Sequence, residues 1–314
     1  MGSSTPTPSV VVPGNHDGVH RGHVALLARA RELAAARGAR VVALTFDPHP
    51  LALIAPERAP TPLTTIERRA ELLVRAGADD VVVARFDRAY AELSAEDFVS
   101  QELVARLGAC AVLVGADYRF GKGRRGEPGL LRALGAEGGF DVEVIDAVGS
   151  GAVARISSTT VREALREGDL ARTRELLGRV HELEGVVVEG HRRGRTIGFP
   201  TANLEGVKVM LPPDGVYAIV ARVLEGPRAS EPLLTGMLNV GTRPTFAAGR
   251  SIEAHLFDVS RDLYGQRLRL GLVARLRDER RFDGVEALVA QLREDETHAR
   301  QAVRALATDT TVLV

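Results

Sequence analysis

Three histidines, His16, His20 and His23, fall within eight residues of the stretch VVVPGNHDGVHRGHVALL. Imidazoles at this density suit a metal centre, a solvated loop or a phosphate site. For zinc, no carboxylate or cysteine follows at ligand spacing, and the HExxH pattern of metalloproteases is absent. Surface loops carry histidine often, and a loop without chemistry remains open on these residues alone. A phosphate site has more behind it. The apolar run before Pro13 ends as a strand, and a helix is predicted to begin near Gly22. The start of a helix offers unpaired backbone N–H groups and the positive end of its dipole. A spacing of three puts His20 and His23 on one side of the first turn. Gly14 and Gly18 let backbone approach a ligand. The dipole opposes a doubly charged pair, so one ring is expected as a neutral N–H donor.

A second cluster lies far along the chain. RISSTTVREAL places Ser157, Ser158, Thr159 and Thr160 before a predicted helix, with Arg162 in its first turn. One hydroxyl satisfies an N-cap. Four in a row with an arginine suit an electrostatic clamp on a polyphosphate.

The elements that must position these groups alternate regularly. SVVVPG, RVVALTF, DDVVVARF, CAVLVG and FDVEVIDAV read as strands; HVALLARARELAAARG, TIERRAELLVRAG and SAEDFVSQELVARLG read as helices between them. Leu26, Leu27, Ala30, Leu33 and Ala34 mark the buried side of the first helix, and Ser94 caps the third. Continuous apolar strands alternating with helices predict an α/β fold: a doubly wound parallel sheet covered on both faces, with ligands at the carboxyl ends of its strands. After two short helices, STTVREALREG and DLARTRELLGR, the texture changes. HELEGVVVEG, DGVYAIVARVLEG, LLTGMLNVGT, SIEAHLFDVS and QRLRLGLVARLR alternate strand-like runs with turn residues, which predicts a small antiparallel β-barrel. The chain closes on a helix with Val285, Leu288, Val289 and Leu292 on one face. The boundary falls between Gly178 and Glu184. The expected layout is a tail over 1–9, one domain over 10–180 and another over 181–314.

Composition narrows the partners. The 314 residues carry 41 basic and 41 acidic side chains, so the formal charge is zero. That argues against general binding to nucleic acid or to a membrane surface. Lys122 and Lys208 are the only lysines; the remaining basic residues are arginines, whose planar fork suits phosphate. The single cysteine, Cys110, fits a buried strand position and a cytoplasmic, reducing compartment. The MGSSTPTPS start lacks the charged and apolar regions of a signal peptide, and no window approaches a membrane span.

Taken together, the motifs carry a resemblance. GNHDGVHRGH, TFDPHP, LTTIERRAELL, VGADYRFGKGRRG and ISSTTVREAL in the first half, and GHRRGRTIGFPTANL, DGVYA, NVGTRPTF, EAHLFD and DLYG in the second, run in family order from about residue 10 to about residue 300. The chain resembles the bifunctional bacterial riboflavin kinase/FAD synthetase family. The resemblance implies a nucleotidyltransferase domain that converts FMN and ATP to FAD and pyrophosphate. It also implies a barrel domain that converts riboflavin and ATP to FMN, with magnesium at both steps. His20 and His23 would stabilise charge on the triphosphate, while Ser158, Thr159 and Arg162 would hold the departing pyrophosphate. Gly14, His16 and Gly22 would border the nucleotide. Asp117, Arg119 and Phe120 would shape the flavin side, with Phe46, Pro48 and Pro50 as apolar walls. In the second half, Thr201 and Asn203 would supply oxygen ligands to magnesium. Glu253 would take the proton of the ribityl hydroxyl as it attacks the γ-phosphate. His191, Gly194 and Arg195 would cover the ATP phosphates.

One position departs from the pattern. The family has phenylalanine where this chain has His16, which is smaller, polar and titratable near neutrality. A paralogue with changed nucleotide or flavin specificity, or with an inactive first domain, is the alternative this residue raises.

Overall fold

The structure is a computed structural model and describes residues 7–146, 156–190, 193–225, 232–242 and 250–307. The chain forms two compact units, Met1–Ser158 and Thr159–Val314. The two short helices α7 (Ser158–Glu167) and α8 (Leu170–Leu177), which the sequence groups with the first domain, fall almost wholly in the second unit. There α8 packs on the first and last barrel strands.

The first unit is a five-stranded sheet built from β1 (Ser9–Pro13), β2 (Arg40–Asp47), β3 (Asp80–Arg85), β4 (Ala109–Gly115) and β5 (Asp141–Ile145). Its order is β3-β2-β1-β4-β5, and every pairing is parallel. Alternate residues of the central strands enter two separate cores, as a sheet buried on both faces requires. Val10 and Val12 pack with Leu27, Ala30 and Ala34 of α1 (Arg21–Arg37) and with Leu72 and Leu73 of α3 (Ile66–Arg75). Val11 and Val112 pack on the other face with Phe98, Val99, Leu103 and Leu131. Leu103 is fully buried, and its truncation to alanine would cost roughly 2–5 kcal/mol. Ser94 caps α5 (Ala95–Asp97) by accepting the Asp97 N–H, as expected. The helix then widens into a π-helical stretch, Phe98–Arg106, closed by a bond from Leu107 N–H to Glu102 O. Three further helices, α2 (Pro50–Ile54), the one-turn α4 (Arg88–Ala91) and α6 (Pro128–Gly138), stand where no helix is predicted. Cys110 lies in β4, half-buried rather than buried.

The second unit is a closed barrel of β6 (His181–Val188), β7 (Ala202–Glu205), β8 (Gly215–Val223), β9 (Leu234–Thr242), β10 (Arg250–Leu256) and β11 (Arg267–Arg277). The order is β10-β7-β6-β11-β8-β9, closed by antiparallel β9–β10 pairing. The long helix α10 (Val285–Ala307) covers a core of Val216, Ala218, Val220 and Met237 with Val289, Leu292, Ala299 and Val303. Val285 is exposed, so the buried face starts later than the sequence suggests. Among the described residues, no helix is long and apolar enough to cross a membrane.

Candidate active sites

In the first unit the strand order reverses between β1 and β4, which opens a crevice beyond their carboxyl ends. The loops leaving β1, β2 and β4 carry most of the residues singled out in this half of the sequence. After β1 the chain turns over Gly14 to Val19 and enters α1 with His20 as its N-cap residue. A side chain at Gly14 would lie 2.9 Å from His16 Cε1, so only glycine leaves room for that ring. Gly22 sits in the first turn of α1.

All three histidine rings touch. His20 and His23 stack with centroids 3.7 Å apart and planes 19° apart, and His16 meets His23 edge-on at 5.0 Å. Two imidazolium ions face to face would repel strongly at this depth. His16 is buried, at 3% exposure, and its Nε2 lies 3.0 Å from Val12 O. Burial pushes its pKa from 6.5 to about 4; the bond to Val12 opposes this, and the charge of Arg69 adds to it. The ring is therefore neutral at physiological pH, with Nε2–H donating to the carbonyl. His16 packs inside the site wall instead of lining an open surface.

Ser158, the first residue of α7, donates its hydroxyl to Asp17 O at 2.8 Å and so joins the histidine loop. Thr159, exposed, and Arg162, buried, lie in the first turn of α7. On the expected flavin side, Phe46 is buried and meets Phe86 and Tyr90, each with centroids at 5.9 Å. Pro48 follows a cis peptide and is exposed; Pro50 opens α2. Asp117 and Arg119 are exposed beyond β4. Phe120 is buried, and Tyr118 lies stacked on it with planes 18° apart. Tyr118 is thus the half-buried ring of this loop, a residue the sequence reading passes over.

The barrel site forms where β7 meets β10. Glu253 on β10 is directly opposite Asn203 on β7 and Asn239 on β9. Side chains opposite one another in a sheet share a face. Ser251, buried two residues earlier, donates its hydroxyl to Glu253 Oε1 at 2.7 Å. Thr201 precedes β7 and lines a small open cleft with Pro200, Ala202, Leu256 and Tyr264; Asn203 and Glu253 do not line it. His255 Nδ1 lies 2.7 Å from Pro200 O and ties β10 to the chain entering β7. A side chain at Gly190 would reach within 2.1 Å of Asn203 Nδ2, so backbone and amide are in close contact there. Gly194 and Arg195 lie in a one-turn helix, α9 (Arg193–Thr196), whose Gly194 carbonyl accepts the Phe199 N–H. His191 lies outside the described residues.

The sequence reading also passes over a buried network. Asp17 accepts the N–H groups of Leu63 and Thr64 and pairs with Arg69 at 3.2 Å. Its only sequence signal is an acid placed between glycines; these three partners all lie in the LTTIERR motif, 46 or more residues further on.

Known proteins bear the same arrangement of halves. Residues 3–160 match the family described as FAD synthetase, and residues 177–303 match the family described as riboflavin kinase. The bifunctional riboflavin kinase/FMN adenylyltransferase of Escherichia coli K12 is 43% identical over 293 residues, which span 93% of this chain and 92% of that protein. The protein of the same name from Listeria monocytogenes is 38% identical over 93% of this chain and 91% of its own length. A crystal structure described as a macrolide-efflux protein from Streptococcus pneumoniae matches at a TM-score of 0.83 and 31% identity, covering 95% of each chain. With both halves matched and this identity over nearly its full length, the chain belongs to the bifunctional riboflavin kinase/FMN adenylyltransferase family.

Proposed function

We infer that the chain makes FAD from riboflavin in two steps, consuming one ATP in each. Riboflavin is phosphorylated to FMN in the C-terminal half, and FMN is adenylylated to FAD, with release of pyrophosphate, in the N-terminal half. We assign the second step to residues 10–180 and the first to residues 181–314. The observation that carries this reading is the stacked His20–His23 pair at the start of a 17-residue helix, beyond the end of the central strand. Such a helix start attracts phosphate.

In adenylyl transfer a phosphate oxygen of FMN attacks the α-phosphorus, and the bond to the pyrophosphate oxygen breaks. The chemistry rests on alignment and on neutralising charge. His20 and His23 donate to the triphosphate, and Thr159 and Arg162 hold the departing pyrophosphate. Gly14 and Gly22 keep the loop close to the nucleotide. Asp117, Arg119 and Phe120, with Phe46, Pro48 and Pro50, form the flavin side.

In the kinase step Glu253 takes the proton of the ribityl hydroxyl as that oxygen attacks the γ-phosphorus and ADP leaves. Thr201 and Asn203 offer neutral oxygen donors, and no group of three His, Cys, Asp or Glu that could hold a metal occurs among the described residues. A magnesium ion bound mainly through ATP phosphates fits that donor set, because the nucleotide brings the charge. There it would neutralise the phosphates. Gly194 and Arg195, with His191, border them. We place the enzyme in the cytoplasm on the strength of its single cysteine.

The test is to incubate the full chain with riboflavin, ATP and magnesium and to follow flavins and nucleotides by chromatography. FMN and then FAD are expected, with one ADP and one pyrophosphate per FAD. FMN without FAD would overturn the adenylyltransferase assignment. Repeating the assay with CTP and GTP reads any change of base choice caused by His16.

A further inference from the structure

The turn that delivers His20 is built from conformations that L residues rarely adopt. His16, Gly18 and Val19 have φ of 50°, 83° and 41°. Val19 is β-branched and buried, the side chain least suited to that region. Such a turn persists only where its surroundings over-determine it. Here the surroundings converge on Asp17. Its carboxylate accepts the Leu63 N–H at 3.1 and 3.0 Å and the Thr64 N–H at 3.2 Å. The Thr64 hydroxyl donates to the same carboxylate at 3.2 Å and accepts the Gly18 N–H at 3.3 Å, so it links the carboxylate to the next residue of the turn. Arg69, buried on α3, reaches Asp17 Oδ1 at 3.2 Å and Thr45 Oγ1 at 3.3 Å. The Thr45 hydroxyl in turn holds Asn15 O at 2.9 Å. The backbone carbonyl of Asp17 accepts the Ser158 hydroxyl. Asp17 is 2% exposed and engaged on every side, so it is not itself a ligand group.

We propose that Asp17, fixed by Thr64 and Arg69, is a positioning residue for adenylyl transfer: it holds the strained turn that sets the stacked His20–His23 pair against the triphosphate. In the same arrangement the Ser158 hydroxyl is committed to the turn, so Ser158 acts through Asp17 and not on pyrophosphate. The proposal rests on the assignment of His20 and His23 to the adenylylation site.

The test is a double-mutant cycle in the full chain, with riboflavin phosphorylation as the internal control for folding. Asp17→Asn keeps the size but presents an amide to N–H donors. It is expected to lower kcat for FMN adenylylation on the order of 100-fold with little change in KM, as a small misplacement of catalytic groups does. FMN formation from riboflavin stays at the wild-type rate. In the His20→Asn background the same change costs less than about twofold, because residues acting through one element are not additive. A purely structural role would multiply the two losses. Thr64→Val removes only the hydroxyl link and is expected to give a smaller kcat loss with the same non-additivity; it decides the matter if Asp17→Asn does not fold. Multiplicative losses, or a wild-type rate for Asp17→Asn while His20→Asn is strongly impaired, would overturn the proposal alone. A wild-type rate for His20→Asn would overturn the histidine assignment and the proposal with it.

Discussion

His16 is the most deeply buried of the three histidines, and its surroundings define what it can do. The ring is neutral, locked by Val12 O and pressed against Gly14 and His23. Histidine adds a pH cost. Its pKa falls from 6.5 to about 4 in the folded chain, so the unfolded chain binds more protons between those values. Stability is therefore full above 6.5 and is lost as pH falls toward 4, by an amount of about 3 kcal/mol. His16→Phe should remove this loss: urea midpoints of the first unit at pH 7 and pH 4.5 should differ less in the variant than in the parent. An equal drop in both would contradict the burial argument. Ser251 makes the second residue-scale prediction. It donates to Glu253 Oε1 at 2.7 Å and so fixes that carboxylate. Ser251→Ala should lower kcat for FMN formation roughly tenfold, the scale of one hydrogen bond to a charged group, and leave FAD formation from FMN unchanged. Glu253 was legible from its motif; Ser251 was not, because a lone strand serine carries no pattern.

At the scale of elements, strands were easier to find in the sequence than what lies between them. SVVVPG and CAVLVG are short, β-branched and fully apolar, and both are central strands of the parallel sheet. The helix α6 escaped because PGLLRALGAEG holds glycines that weaken its helical signal. The π-helical stretch after Asp97 escaped because its bonding depends on packing of Phe98, Val99 and Leu103 under the sheet, not on local preference. The barrel's strand order was illegible for a related reason: β10 pairs not only with its chain neighbour β9 but also with β7, a partner set by register across a long stretch of chain. That register is what brings Asn203 and Glu253 together, so the motif residues were visible and their adjacency was not. Gly190 belongs to this element-scale fit. Gly190→Ala would put a carbon within 2.1 Å of the Asn203 amide, and the amide must move. The expected outcome is a raised magnesium requirement and a fall in kcat for FMN formation, read by magnesium titration of the kinase rate. An unchanged titration would mean that Asn203 does not hold the ion.

The whole molecule joins two units of different construction, a parallel sheet and a closed antiparallel barrel, each with its own core. The histidine turn follows β1 in the first unit, and the Asn203–Glu253 row lies on β7 and β10 in the second. The two sites proposed above should be separable by mutation, and FMN released by one should serve the other. The most direct test uses two full-length variants, Glu253→Gln and His20→Asn, assayed with riboflavin or FMN plus ATP and magnesium. Glu253→Gln is predicted to make FAD from FMN but no FMN from riboflavin. His20→Asn is predicted to make FMN from riboflavin at the wild-type rate but to lose nearly all FAD synthesis. A mixture of the two should restore FAD synthesis from riboflavin. Loss of both activities in either variant, or retention of both, would contradict the assignment of two independent sites.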